Sequence, residues 1–182
     1  MAGDEQQEMS KRHRLFFALE PPDRVRHQVH MLQQRVGAQG RAVKPEQFHV
    51  TLAFLGMQPA DVIPELCTIA SSLTFEPCTV VLDRLGSFRR TGVLWLGAKT
   101  IPAPLRDFQQ SLIEGIESAG IDRDRKEWKL HLTLYRRLRK PPSIMEIVPL
   151  AWPLNGFSLI ESVGVKSGVE YHRQGHWSAG RQ

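Results

Sequence analysis

The chain has 182 residues, a length that suits one compact domain or two small lobes packed together. Hydrophobic residues make up 41%, enough for a core, and no apolar run approaches the roughly 18 residues that a membrane span needs. Twenty-four Lys and Arg against nineteen Asp and Glu leave a net charge of +5, which favours an anionic partner, nucleic acid foremost.

Residues 1–13 are polar and charged and read as a flexible tail rather than a signal peptide. Two isolated cysteines, Cys67 and Cys78, show no metal or redox spacing, which points to a reducing, cytoplasmic setting. Residues 14–182 read as one domain, with no linker or low-complexity stretch. Arg14 to Glu20 is predicted as a strand closed by Pro21-Pro22. Pro22 to Val36 is predicted as a helix with Val25, Val29, Leu32 and Val36 on one face, ended by Gly37 and Gly40. Phe48 to Leu55 is β-branched, aromatic and apolar, and reads as a strand stopped by Gly56. A second helix is predicted over Pro59 to Leu73. Strands are predicted over Thr79 to Leu85 and Gly92 to Gly97, forming a hairpin around Ser87 to Thr91. A third helix runs from Pro102 to Ala119, with Leu105, Phe108, Leu112, Ile113 and Ile116 inward. Lys129 to Tyr135 is a further strand, interrupted afterwards by Pro141-Pro142. Phe157 to Val165 and Val169 to Trp177 close the chain as a strand pair around Ser167-Gly168.

One element recurs. His49-Val50-Thr51-Leu52 and His131-Leu132-Thr133-Leu134 each lie in a predicted strand, and each strand follows a helix. Alternate strand residues share a face, so each copy presents one imidazole and one hydroxyl together, with Val50, Leu52, Leu132 and Leu134 turned to a core. The fold expected is α+β and bilobal: two antiparallel-rich sheets with outer helices, related by a pseudo-two-fold duplication around a central cleft. An imidazole titrates near pH ~6.5, so one of a facing pair can be neutral while the other is charged. That suits phosphodiester cleavage, one ring acting as base and the other as acid. The threonines would bind the non-bridging phosphate oxygens. Arg136 is a further candidate. Its spacing from Thr133 aims it at the opposite face of a regular strand, unless a bulge or strand end re-aims it toward the phosphate.

With these motifs the chain resembles the two-histidine phosphoesterase superfamily, and within it the bacterial and archaeal RNA 2′,3′-cyclic phosphodiesterases, also called 2′-5′ RNA ligases. The resemblance runs from Arg14 to Trp177. It includes Arg14-Leu-Phe-Phe-Ala-Leu19, His49-Val-Thr-Leu-Ala-Phe-Leu-Gly56, His131-Leu-Thr-Leu-Tyr-Arg136, Val93-Leu-Trp-Leu-Gly97 and Gly168-Val-Glu-Tyr-His172. It implies metal-independent hydrolysis of RNA 2′,3′-cyclic phosphate ends to 2′-phosphates, with reversible 2′-5′ ligation, including of tRNA halves, in some members. It implies His49 as acid and His131 as base, with Thr51, Thr133 and Arg136 on the phosphate. Leu130 stands where the family often has proline, and the His- and Arg-rich stretch after Tyr171 departs from the family pattern.

Phe16, Phe17, Trp128, Arg89 and Arg90 are candidate RNA contacts, by stacking for the aromatic rings and by charge for the arginines. No cofactor or metal is expected: there is no phosphate-binding Gly-x-x-x-x-Gly-Lys loop, and no His-Glu-x-x-His or Cys-x-x-Cys. A monomer is expected. The alternatives are a phosphodiesterase for 2′-5′ oligonucleotides or small cyclic nucleotides and, in another class, a non-catalytic RNA-binding module.

Overall fold

The computed structural model describes residues 12–140, 146–166 and 168–179. Its main sheet has eight strands in the order β10-β9-β1-β3-β7-β6-β5, with β2 also paired to β7. These are β1 (Arg12–Leu19), β2 (Arg41–Ala42), β3 (Val50–Pro59), β5 (Arg84–Phe88), β6 (Val93–Gly97), β7 (His131–Arg136), β9 (Gly156–Val165) and β10 (Gly168–Ser178). A separate two-stranded sheet pairs β4 (Cys78–Leu82) with β8 (Leu150–Leu154). The described α-helices are α1 (Asp23–Val36), α2 (Val62–Ser72) and α3 (Ala103–Ser118). All strand pairs are antiparallel. The α+β class and the paired halves therefore match the sequence reading. The two half-sheets, however, form one continuous sheet, joined where Val50 of β3 pairs with Leu132 of β7.

Several boundaries differ from expectation for identifiable reasons. β1 begins at Arg12, inside the expected tail, because Arg12 and His13 find partners in Pro59 and Gln58. The rest of that tail, the Pro141-Pro142 break and Ser167 lie outside the described residues. Gly56 does not stop β3. It takes φ +70° at an irregularity in the β1–β3 ladder, and the strand continues to Pro59. The strand expected over Thr79 to Leu85 divides at Asp83: β4 leaves for β8, and β5 forms the hairpin with β6. β8 itself was hidden by Pro153, which is tolerated because the two-stranded sheet has only edge strands.

The faces of the main sheet have different work. One carries the helices and the small sheet. Leu15, Phe17 and Leu19 of β1 join Val25, Val29 and Leu32 of α1, Leu66 and Ala70 of α2, and Leu105, Phe108, Leu112 and Ile116 of α3 in one buried cluster. The other face carries a small apolar group, Phe16, Ala18 and Ile160, with Phe54 and Tyr171 packed beside it, and Trp95 across the ladder from Thr133 with Phe88 beside it.

Both copies of the His-x-Thr-Leu motif contain the same irregularity. In β3 the pairing with β1 shifts between Ala18↔Thr51 and Phe17↔Ala53, leaving Leu52 as an extra residue. In β7 the pairing with β6 shifts between Trp95↔Thr133 and Leu94↔Tyr135, leaving Leu134 extra. Each extra residue is held by a buried glutamine from a helix. Gln33 of α1 donates to the Leu134 carbonyl at 2.8 Å, and Gln109 of α3 donates to the Leu52 carbonyl at 3.1 Å. The first helix thus clamps the second motif strand, and the third helix clamps the first. Gln33 also donates to Val43, and the Tyr135 hydroxyl donates to the Gln33 carbonyl. Replacing Gln33 by Leu removes its bonds to the Val43 and Leu134 carbonyls, the latter keeping only the Val43 N–H at 2.9 Å, so urea unfolding should show a loss of about 1–3 kcal/mol. A loss below about 0.5 kcal/mol, the level of a neutral surface change, would mean that the clamp does not support the bulge.

Candidate active site

The bulges decide which side chains meet on the open face. Before each bulge, His and Thr alternate onto that face. After it the parity reverses: Leu52 and Ala53 both turn to the core, as do Leu134 and Tyr135. Phe54 is thereby returned to the open face beside the Phe16 group, and by the same reversal Arg136 emerges exposed on the side of His131 and Thr133. The aim that a regular strand denies Arg136 is supplied by one extra residue.

The two imidazoles are anchored alike. His49 stands one residue ahead of β3, and its Nδ1 lies 2.8 Å from the Gln47 carbonyl; His131 opens β7 with Nδ1 2.7 Å from the Lys129 carbonyl. A carbonyl oxygen only accepts, so each Nδ1 carries the hydrogen and each Nε2 is left free for chemistry. Each ring also meets an aromatic neighbour. Phe16 is 5.0 Å from His49 and Tyr171 is 5.3 Å from it, while Phe88 is 5.1 Å from His131 in an edge-on contact. Thr51 is half-buried and Thr133 is buried.

Burial dominates the acid–base character. It pushes His49 down to about 4, against the opposing effect of the Gln47 hydrogen bond; Arg136 and His131 push further down and Glu20 pulls up. His131 is lowered too, by burial first, with the Lys129 hydrogen bond opposing and Arg136 adding. Burial raises the Tyr171 hydroxyl, and Arg136 and Arg14 act against that rise. Arg136 therefore exerts its charge on both imidazoles and on Tyr171 at once.

A cleft of about 620 Å³ opens beside this centre. Thr51 and His131 line its inner end; Phe54, Phe88, Trp128, Arg89, Arg90, Arg123, Lys126 and Lys129 are among its walls. Trp128 is half-buried and donates its indole N–H to the Thr51 carbonyl at 2.8 Å, so the wall is tied to the motif strand. Arg89 and Arg90 form the exposed rim in the short helical turn after β5.

Two aromatic expectations need correction. Phe17 is fully buried on the helix side, packed against Phe157 and Trp177, and offers no surface to RNA. Phe16 reaches the open face but is only 3% exposed beneath His49 and Tyr171, so it backs the site instead of stacking on a base. The glutamine clamps were missed, although a signal existed: Gln33 follows Val29 by four residues and so falls on the buried face of α1. Glu20 and Ser158 were also missed, because their partners lie far away in sequence. Among the described residues no group of three or more His, Cys, Asp or Glu side chains is placed to hold a metal ion.

The family model for the 2′-5′ RNA ligase superfamily matches residues 21–166. The chain is 34% identical over 140 residues to the RNA 2′,3′-cyclic phosphodiesterase of Archaeoglobus fulgidus, covering 74% of this chain and 78% of that one. It is 31% identical over 171 residues to the protein of the same name from Thermus thermophilus, covering 87% and 86%. The crystal structure of Escherichia coli LigT with 3′-AMP superposes with a TM-score of 0.87 at 25% identity, covering 94% of this chain and all of that one.

Removing the Arg136 charge should raise the pKa of both imidazoles, since the guanidinium disfavours their protonated forms. An NMR titration of Arg136→Met that leaves both rings unmoved would place Arg136 away from the site.

Proposed function

This chain belongs to the 2′-5′ RNA ligase superfamily, and from that premise we propose that it is an RNA 2′,3′-cyclic phosphodiesterase working through His49 and His131. The observation that carries the reading is the matched anchoring of the two rings. Both Nδ1 atoms are tied to backbone carbonyls, so both Nε2 atoms are available to one phosphate.

The chemistry follows from that arrangement. The cyclic phosphate binds with its non-bridging oxygens on Thr51, Thr133 and Arg136. Neutral His131 takes a proton at Nε2 from a water molecule, whose oxygen attacks phosphorus. The bond from phosphorus to O3′ breaks, and protonated His49 gives its Nε2 proton to that oxygen. The product is a 2′-phosphate with a free 3′-hydroxyl. With an RNA 5′-hydroxyl in place of water the same forward step makes a 2′-5′ linkage, and its reversal, with O3′ attacking phosphorus and the 5′-hydroxyl leaving, breaks it.

The cleft favours RNA over a free cyclic nucleotide. Its volume exceeds what a water nucleophile needs, and its Trp128 face and Arg89–Arg90 rim suit a base and a phosphate of a longer chain. Ends of tRNA halves are one such substrate.

His49→Ala and His131→Ala should each lose on the order of a hundredfold or more in turnover of an RNA ending in a 2′,3′-cyclic phosphate. Near-normal turnover by either variant would remove the mechanism, and binding without turnover by the unaltered protein would leave an RNA-binding module. Because burial lowers both imidazoles, the profile of kcat/KM against pH should be bell-shaped with both limbs below the ordinary imidazole value, the lower one near 4. A bound phosphate anion favours imidazolium, so the kcat profile should lie at higher pH than that of kcat/KM. Turnover should persist in EDTA.

A further inference from the structure

The pseudo-two-fold symmetry of the site is broken at one telling position. In the β6–β7 half, Gly97 pairs with His131 and Leu96 with Leu132. In the β1–β3 half, Leu19 pairs with Val50, so the next residues in the antiparallel order, Glu20 and His49, stand opposite each other. Directly opposed residues share a face. His49 therefore faces a carboxylate across the ladder where His131 faces a glycine. That glycine cannot be replaced in kind, because a Cβ there would lie 2.8 Å from the Trp95 ring and 2.9 Å from the Leu130 carbonyl.

Glu20 is built into its place. Its Oε2 accepts from the Ser158 hydroxyl at 2.5 Å and from Arg173 at 2.9 Å. Ser158 is fully buried, and with its own proton given to Glu20 it accepts from Nδ1–H of His176 at 2.9 Å. Burial works against ionisation of Glu20, but the Ser158 and Arg173 hydrogen bonds outweigh it and hold the carboxyl below its usual value. The carboxylate is thus charged at the pH of catalysis, with β9 and β10 fixing its position.

We propose that Glu20 is a positioning residue that supports the protonated form of His49, the proton donor of the pair, an inference that rests on the acid–base reading above. The charged groups acting on His49 are Glu20, just beyond β1, and Arg136 and His131 from β7, with the neutral rings of Phe16 and Tyr171 completing its surroundings. Arg136 disfavours imidazolium at both histidines. Glu20 alone among these groups favours it, and only at His49. Arg173 and His176 of β10 surround Glu20 on its far side, and Arg173 helps keep it ionised. A neutral His49 cannot protonate O3′. The carboxylate raises the share of molecules with the proton on His49 and the free base on His131.

The test compares kcat/KM against pH for the unaltered protein, Glu20→Gln and Arg173→Met, on an RNA ending in a 2′,3′-cyclic phosphate. Glu20→Gln keeps the shape and the Ser158 contact but removes the charge. The His49 limb should move down by about one pH unit, and the plateau should fall about tenfold with it. Arg173→Met, at an exposed position, removes a group that keeps Glu20 ionised, so the same limb and plateau should fall too, by less. A graded fall from a substitution that leaves Glu20 itself in place is not what a loss of packing around His49 produces. Limbs unmoved in both variants would overturn the proposal. A limb that moves in Glu20→Gln without a fall in plateau would also overturn it, since His49 would then be the base. If Glu20→Gln does not fold, the direction of the Arg173→Met shift decides. An unaltered protein without a bell-shaped profile would instead remove the acid–base reading itself.

Discussion

Everything at the site depends on two extra residues in the sheet and the two glutamines that hold them. A regular strand would carry His131, Thr133 and Tyr135 on one face and send Arg136 to the other. The bulge at Leu134 turns Tyr135 to the core and brings Arg136 to the side of the histidine. A bulge leaves a backbone group outside the ladder, and a buried carbonyl without a donor is costly. At Leu134 the Val43 N–H and Gln33 of α1 both donate to that carbonyl, and at Leu52 Gln109 of α3 donates to the corresponding one. Because each helix clamps the motif strand of the opposite half, the halves cannot separate without exposing both carbonyls. This bond pattern reinforces a seam that the sheet itself closes with the single pair Val50↔Leu132.

The same enclosure sets the chemistry. Imidazoles standing on a sheet beside aromatic rings are stripped of water, and burial outweighs every other influence on both of them. In the proposed mechanism the phosphate anion supplies the counter-charge that lets one ring hold its proton. Arg136 opposes both imidazolium forms. A symmetric pair of rings under one shared cation has no reason to divide acid from base. Glu20, held by Ser158 and Arg173, favours imidazolium at His49 alone of the two rings, against the burial and the Arg136 charge that lower it.

Duplication and divergence are both visible in side-chain detail. The histidines, threonines, bulged leucines and glutamine clamps repeat across the seam. Two of the differences confer asymmetry: Arg136 against Phe54 after the bulge, and Gly97 against Glu20 across the ladder. The cleft lies beside His131 and the Thr51–Phe54 stretch of β3, bordered by Trp128 and the Arg89–Arg90 turn, and is the flank proposed for the longer part of an RNA. Tyr171, from the final strand, closes over His49 on the other flank.

The sequence by itself determined the helices, most of the strands and the two motifs, because those rest on local periodicity and on a four-residue pattern that occurs twice. It also determined that the paired rings would share a face with their threonines, since alternation along a strand is local geometry. Tertiary structure alone decided the rest. A bulge is a relation between two strands, so Leu134 could not be recognised as extra until β6 was laid beside β7. β8 was hidden because an edge position excuses its proline, and being an edge is a property of the assembled sheet. Phe16 and Phe17 are neighbours of one residue type, and only the packing of helices on one face separated a core ring from one that backs the site. Glu20 became part of the site only when strands from the far end of the chain brought Ser158 and Arg173 to it. Such contacts join residues more than a hundred positions apart, and no local pattern encodes them.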